Sequence, residues 1–406
     1  MNKTYWSVFW KTGKHMLKKN AAKLTALSIA IAALALCIWF GFRSYSKAKP
    51  QVDNAENRQH SSDHEILISN TSSDFDNAAI RRILLRLIPN ENPNLSSALH
   101  LLHVFGPETT LGDGPSRRYV LGFVFDGQAG DSFFGSKGML RRTQHGARYA
   151  TFVHGLFAKK QENREAHPSQ VLCVCGSLGV PIDRTIHLSD GSEGTLRMVL
   201  DDVKANFRME GDYLWDVMAL AYYQCPESSW KDKFGKKHSF DDVVLALVTQ
   251  DLSRTPCAGS HVLQSLLLLH NVNTRYRILS PASANHVVTH LRNAVQVLID
   301  TQTEDGFWEP LWLLRMPNAG PPPQLTIEND NARILVTGHM LEFLIQVPTT
   351  ISSEKPRLKN AAAWLLRTQD HLSSFPEWRK EMVCPASHAA KAVAMFAGIE
   401  PRLAIR

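Results

Sequence analysis

The sequence predicts an all-α protein built from repeated helical hairpins. From Asp76 onward, apolar residues recur with the spacing of helix faces, and no segment shows sustained strand alternation. Segments with a polar face and one apolar stripe alternate with segments that are apolar around most of their circumference. Corresponding helix starts at Thr195, Ser239 and Ser283 are separated by 44 residues each time. A constant period of this length is typical of an array in which each unit is one helical hairpin.

The first 75 residues predict a membrane anchor that precedes this array. Residues 24–42 form a run of 19 residues without a charged side chain, and such a run is about long enough to cross a hydrocarbon core of ~30 Å. We therefore expect a basic cytoplasmic tail at 1–23, a transmembrane signal-anchor at 24–42 and a flexible polar stalk at 43–75. A cleavable signal peptide is the alternative, but its apolar region is usually shorter and ends in small residues. The excess of Lys before the span places the main domain, 76–406, outside the cytoplasm in a single-pass protein of the cell envelope.

The charge distribution argues against a nucleic-acid partner. The whole chain carries a net charge of +7, but residues 1–49 contain nine Lys or Arg and no Asp or Glu. The remainder of the chain is therefore close to neutral, and the basic isoelectric point belongs to the N-terminal segment. Five cysteines lie outside the predicted anchor, an odd and sparse set that is not a disulfide framework. A bridge between Cys257 and Cys384 in an oxidising compartment is an alternative for those two residues.

The predicted helices fall into an outer and an inner set. The amphipathic segments predict outer helices at 195–207, 239–252, 283–301 and 355–369. The more apolar segments predict inner helices at 212–224, 256–271, 330–347 and 385–398. Earlier helices are expected at 77–88, at 95–105 and roughly at 137–157, while the glycine-rich residues 107–135 receive no assignment. Ser239 and Asp242 have the spacing of a capping box at the start of one outer helix.

One motif connects this pattern to a known superfamily. The stretch "QTEDGFW", from Gln302 to Trp308, fits Q-x-x-x-G-x-W. The chain therefore resembles the squalene and oxidosqualene cyclases and, more widely, the α/α-toroid superfamily of terpenoid cyclases and protein prenyltransferases. The resemblance implies an α/α toroid of about five to six helical hairpins, here preceded by one transmembrane helix. It also implies that Gln302 caps the following helix and that Trp308 stacks near it.

The resemblance has limits in chemistry. The chain contains no D-x-D-D motif, so the alkene protonation of class II terpene cyclases is not expected. The Cys-His-Gly and Trp-Cys zinc motifs of the lanthionine cyclases are absent as well. The stretches "CAGSH", "TGHMLEF" and "QTEDGFW" behind one N-terminal anchor also resemble an uncharacterised group of bacterial envelope proteins, over roughly residues 165–400.

The inner helices predict a cluster of cysteine and histidine side chains. All inner helices of a toroid run in the same direction, so residues at matching helix starts meet on one rim of the central cavity. The predicted rim contains Cys257, His261, His339, Cys384 and His388, with His167 and Trp215 as further candidates. Thiolate and imidazole are ligands that zinc prefers, and prenyltransferase toroids hold zinc with Asp, Cys and His. The first five residues are therefore candidate zinc ligands.

Two further interpretations of the same residues stay open. His261, His339, Glu342 and His388 are candidates for metal-free acid–base catalysis in a lyase or hydrolase, and Cys257 is a candidate nucleophile. Alternatively, the repeated residues serve helix packing alone. We expect a toroid that binds a glycan, isoprenoid or protein ligand, or a polymer, in its central cavity without cyclase chemistry. The alternative is a toroid enzyme that uses the Cys/His residues.

Overall fold

The described part of the chain is predominantly helical, which confirms the predicted all-α class. The structure is a computed structural model that describes residues 76–88, 93–111, 118–135, 137–150, 167, 169–252, 255–317, 330–354, 356–372 and 383–404. All of them belong to one unit of the chain, His64–Arg406.

The predicted single-pass membrane topology is corrected by this structure. None of the helices in the described ranges is long and apolar enough to cross a lipid bilayer. The finding contradicts the transmembrane, signal-anchor and single-pass assignments. The tail, anchor and stalk predicted at 1–23, 24–42 and 43–75 lie outside the described residues.

Fourteen α-helices are described. They are α1 Asn77–Leu87, α2 Leu95–Phe105, α3 Val120–Phe125, α4 Gly127–Phe134, α5 Gln170–Ser177, α6 Leu196–Asn206, α7 Leu214–Tyr223, α8 Phe240–Thr249, α9 Ser260–Tyr276, α10 Pro281–Thr301, α11 Asp330–Gln346, α12 Leu358–Leu372, α13 Val383–Phe396 and α14 Pro401–Ala404. Short 3-10 helices occupy Pro256–Gly259 and Pro310–Arg315. The four predicted outer helices correspond to α6, α8, α10 and α12, and the four predicted inner helices to α7, α9, α11 and α13.

Four antiparallel hairpins interrupt the helices in the described ranges. They pair β1 Thr110–Leu111 with β2 Arg118–Tyr119, β3 Leu140–Arg142 with β4 Ala147–Tyr149, β5 Thr185–His187 with β6 Glu193–Thr195, and β7 Ser229–Lys231 with β8 Lys237–Ser239. The last two hairpins lead directly into α6 and α8, so the polar turn before these outer helices is itself part of the repeat. Residues 107–135, which received no assignment, contain β1, β2, α3 and α4.

The helix predicted at 137–157 is wrong for the residues that are described. Leu140 pairs with Tyr149 across the β3–β4 hairpin, and Gly146 lies in its turn. Gly146 has a φ of +156°, and a Cβ there would lie 2.0 Å from the carbonyl oxygen of Met198. Only glycine permits this approach to α6, so the chain turns at that point instead of continuing as a helix.

Six helices contact one another in a closed cycle. Helix α5 packs against α7, α7 against α9, α9 against α11, α11 against α13, α13 against α2, and α2 against α5. The amphipathic helices pack on this set: α6 contacts α5 and α7, α10 contacts α8 and α9, and α12 contacts α11 and α13. The apolar character of the six helices follows from this position, since neighbours surround them on more than one side.

The predicted turn chemistry is found at two points of the outer set. Ser239 and Asp242 form the capping box at the start of α8, with both reciprocal bonds present. The Oε1 atom of Gln302 accepts a hydrogen bond from the backbone N–H of Arg357 at 2.7 Å, immediately before α12. The indole N–H of Trp308 is buried and donates to the carbonyl oxygen of Leu298 at 2.8 Å. The motif thus ties the end of α10 to the start of α12.

Candidate functional site

The structure brings the five predicted zinc ligands together. The ligating atoms of Cys257, His339 and Cys384 all lie within 4.8 Å of one another. The ring centroid of His339 is 3.8 Å from that of His388 and 5.5 Å from that of His261. We call these five residues the Cys/His cluster.

The cluster is assembled differently from the predicted rim of helix starts. His339 lies in the middle of α11, whose first turn begins at Asp330. Cys257 precedes α9 and lies in a 3-10 turn, so it does not share an α-helical face with His261. The expectation that all five residues stand at inner-helix N-termini is therefore wrong, although their convergence is found.

A left-handed turn holds Cys257 in place. Cys257 has φ 52° and ψ 40°, and Ala258 has φ 51° and ψ 45°. Residues other than glycine adopt this conformation at a cost of about 1–2 kcal/mol each. The indole N–H of Trp312 donates to the carbonyl oxygen of Ala258 at 3.2 Å and supports the turn. Strain of this kind concentrates at functional sites, where surrounding structure maintains it.

A close approach of two helices brings His339 against His388. Helix α11 packs on α13 at Gly338, where an added Cβ would lie 2.8 Å from the backbone nitrogen of Ala389. The missing side chain lets the two backbones come near each other. The adjacent residues His339 and His388 consequently meet across the contact.

His339 is the most unusual side chain of the cluster. It is 0% exposed, and neither ring nitrogen has a hydrogen-bond partner among the residues that the structure describes. Burial, with help from His388 and His261, holds its pKa well below the usual value, so the ring is neutral. Buried polar groups without partners are rare in folded proteins, and neutral imidazole is the form that binds metal ions. The donor set therefore fits a metal ion.

Cys257 and Cys384 are free thiols in this structure rather than a disulfide. The neighbouring Cys384 thiol, together with burial, raises the pKa of Cys257. The thiol is therefore protonated in the metal-free protein, and a bound cation would displace that proton.

A buried ionic network adjoins the cluster. Oε1 of Glu342 lies 2.9 Å from both Nε2 of His103 and Nζ of Lys391, and Oε2 lies 2.9 Å from Nδ1 of His388. Burial alone would raise the pKa of Glu342, but Lys391 and His103 outweigh it and hold that pKa well below its usual range. Glu342 is therefore a carboxylate that fixes His388 by accepting a hydrogen bond.

Sequence reasoning missed three residues of this region: His100, His103 and Lys391. Both histidines lie on α2. A ring nitrogen of His100 lies within 4.8 Å of a ring nitrogen of His388, and Nε2 of His103 lies 2.9 Å from Oε1 of Glu342. Burial lowers the pKa of His100 to about 4, and burial with the neighbouring Lys391 does the same for His103. A lysine inside the apolar segment "AAKAVAMF" was the signal that could have identified Lys391, because lysine is almost never buried without a partner.

The two further candidates, His167 and Trp215, extend the cluster on its other side. The His167 ring stacks on Trp215 with centroids 5.1 Å apart and an interplanar angle of 14°. The same ring lies 5.1 Å from that of His261. Nδ1 of His167 is 2.5 Å from Oδ2 of Asp212, which precedes α7.

Comparisons with known proteins identify no relative of this chain. No protein-family model matches the chain, and neither a curated protein nor a solved structure matches it.

Proposed function

We propose that this protein is a zinc-dependent enzyme of the hydrolase or lyase class, with the metal held by Cys257, His339 and Cys384. One observation carries the proposal: a fully buried His339 without hydrogen-bond partners in the described chain lies beside two thiols, with all three ligating atoms within 4.8 Å. A buried imidazole without hydrogen-bond partners costs free energy unless a ligand binds one of its nitrogens. A metal ion would bind in this way.

The donor set favours zinc over harder cations. Two sulfur ligands and one nitrogen ligand suit a borderline-soft ion, whereas magnesium and calcium take oxygen ligands. Three protein ligands also leave one tetrahedral position for water or substrate, which is the arrangement of catalytic zinc sites. Both cysteines are partly exposed, and the two thiols therefore do not seal this fourth position.

His388 and Glu342 supply acid–base chemistry beside this position. A zinc ion lowers the pKa of its bound water to about 7. His388 lies against His339, and Glu342 holds its Nδ1, which leaves Nε2 to take or return a proton. Glu342 balances the charge of the protonated ring, and Lys391 keeps Glu342 ionised. In this proposal His388 is the general base and Glu342 its positioning residue.

The finer fold assignment is also part of the proposal. We infer an α/α toroid in which α2, α5, α7, α9, α11 and α13 form the inner wall. The closed cycle of contacts among these six helices supports it, as does the link that Gln302 makes between two outer helices. Convergence of side chains from separate inner helices is what such a wall would produce.

A structural zinc in a non-catalytic ligand-binding protein is the second candidate function. The close approach of His261 to Cys257 favours it, because His261 could complete a Cys₂His₂ set. A closed set of four protein ligands would leave no position for water.

Cobalt substitution of the full chain tests these proposals. Co²⁺ bound by thiolates gives charge-transfer and visible absorption bands, which should appear in the wild type and be clearly weakened in His339→Ala. His286→Ala, an exposed histidine on α10, is the matched control and should retain them. With an open water position the visible bands should change with pH near 7, and His388→Ala should shift that transition. Unaltered bands in His339→Ala would overturn the metal proposal, and bands insensitive to pH would favour the structural site.

A further inference from the structure

We infer that His167, Cys257 and His261 form a second zinc site, so that the thiolate of Cys257 bridges two metal ions. The inference rests on the proposed function, because the first zinc is the one held by Cys257, His339 and Cys384.

The three residues have the geometry of a ligand set. Their ligating atoms all lie within 4.8 Å of one another. His167 comes from the segment before α5, and His261 lies in the first turn of α9. Their rings are nearly perpendicular, at 89°, with centroids 5.1 Å apart. Two rings and one thiol, from the segment before α5 and from the start of α9, therefore lie close enough to share one metal ion.

His167 already has the support that metal-binding histidines require. Its Nδ1 pairs with the Asp212 carboxylate at 2.5 Å, which leaves Nε2 of the same ring for a metal ion. A carboxylate on the remote nitrogen fixes the tautomer and strengthens the ligand. The stacked Trp215 ring fixes the orientation of the imidazole plane.

His261 contributes an independent observation. It is 1% exposed, and its Nδ1 atom has no hydrogen-bond partner in the part of the chain described. The oxygen Oδ1 of Asp212 is buried and equally without a partner there. Buried polar atoms without hydrogen-bond partners in the described chain therefore lie at both proposed zinc positions: on His261 and Asp212 at the second, and on His339 at the first.

A competing location for the second metal is less suitable. His103, Glu342 and His388 also form a compact group. Nζ of Lys391, however, lies 2.9 Å from the Glu342 carboxylate and supplies the positive charge itself. A divalent cation there would be repelled by the lysine. Among the residues that the structure describes, no lysine or arginine pairs with the Asp212 carboxylate, which lies beside the second position.

Cys257 belongs to both ligand sets, whereas His167 and His339 each belong to one of the two. Thiolate sulfur has lone pairs enough to bind two zinc ions. The sulfur of Cys257 lies within 4.8 Å of the ligating atoms of both groups. The result is a dinuclear centre with His167 and His261 on one zinc and His339 and Cys384 on the other.

Zinc counting on the full-length chain tests the inference. The protein is stripped with a chelator, reloaded with zinc, desalted and measured by elemental analysis. The wild type should hold two zinc ions per chain, and His167→Ala and His339→Ala should each hold one. Cys257→Ser should hold fewer than either single variant. His286→Ala is the control and should hold two.

The outcomes separate the two proposals. One zinc in both the wild type and His167→Ala, with none in His339→Ala, overturns the second site and leaves the first intact. One zinc in the wild type and in His339→Ala, with none in His167→Ala, overturns the first site. No zinc in the wild type overturns both. Asp212→Asn covers the case in which His167→Ala fails to fold: it should lower the affinity of one of the two zinc ions about 10- to 100-fold. Unchanged affinity for both ions would overturn the second site.

Discussion

Nδ1 of His388 lies 2.9 Å from Oε2 of Glu342, and this contact joins α13 to α11 inside the protein. The carboxylate is nearly inaccessible, and its other oxygen is shared by Lys391 and His103. Three helices therefore depend on one buried charge. Such a network is stable only while every member is present, because an unpaired charge in this environment loses hydration without compensation.

Removing the charge of Glu342 should destabilise the fold strongly. Glu342→Gln leaves Lys391 without its counter-charge, and breaking a buried pair typically costs about 3–5 kcal/mol. Urea unfolding of the zinc-free protein measures the effect. The double variant Glu342→Gln/Lys391→Met removes both charges and should recover part of the loss. A single-variant loss below about 1 kcal/mol would show that the network contributes little.

Stability of the zinc-free protein should fall as the pH is lowered from about 6.5 toward 4. The pKa of His100 falls from 6.5 to about 4 on folding because the ring is buried, and burial with Lys391 does the same for His103. Between these values the unfolded chain binds protons that the folded chain does not, so acid favours unfolding. Each histidine contributes about 1.4 kcal/mol per pH unit over this range. His339 acts in the same direction.

One group opposes this trend. Burial raises the pKa of Asp216 to about 6, so the folded state takes up a proton there first and gains stability as the pH falls from 6. Urea unfolding at pH 7, 6 and 5 measures the net slope. His100→Gln should reduce it by about 1.4 kcal/mol per unit. An identical slope in wild type and variant would contradict the assignment of His100 as a buried neutral ring.

Gln302 should contribute measurably to the joint between α10 and α12. Its amide accepts from the N–H of Arg357 and donates to the carbonyl oxygen of Gly306 at 2.7 Å. Gln302→Ala leaves these backbone groups unsatisfied and should cost about 1–3 kcal/mol. Gln296→Ala, an exposed position on α10, is the matched control and should change stability by less than about 0.5 kcal/mol. Equal effects of the two substitutions would rule out a joint at Gln302.

The sequence predicted the helices well because their apolar periodicity reports burial directly. It also indicated the Cys/His cluster, since cysteine and histidine recur at related points of the repeat. It did not predict that His339 lies in mid-helix, because helix direction and register depend on packing partners such as Gly338 and Ala389. His100 and His103 were missed for the same reason. Their role comes from α2 closing against α13, a contact between segments almost 290 residues apart.

The hairpin at 140–149 was mistaken for helix because its apolar content is compatible with both structures. The deciding feature is the approach of Gly146 to the backbone of Met198, a tertiary contact. The membrane prediction relied on the length, hydropathy and flanking charges of one segment, and it is contradicted by the described helices, none of which could cross a bilayer.

Under the proposed zinc function, the left-handed conformation of Cys257 sets stability against metal binding at this residue. Glycine would adopt φ 52° without the steric cost that a cysteine side chain incurs. Cys257→Gly should therefore unfold at a urea concentration equal to or above that of the wild type when both are zinc-free, and it should bind no zinc at either position. The zinc-loaded wild type should in turn exceed the variant, because ligand binding to the folded state alone stabilises it. Under the proposed function, zinc binding by this thiol offsets the strain of the turn in the folded protein.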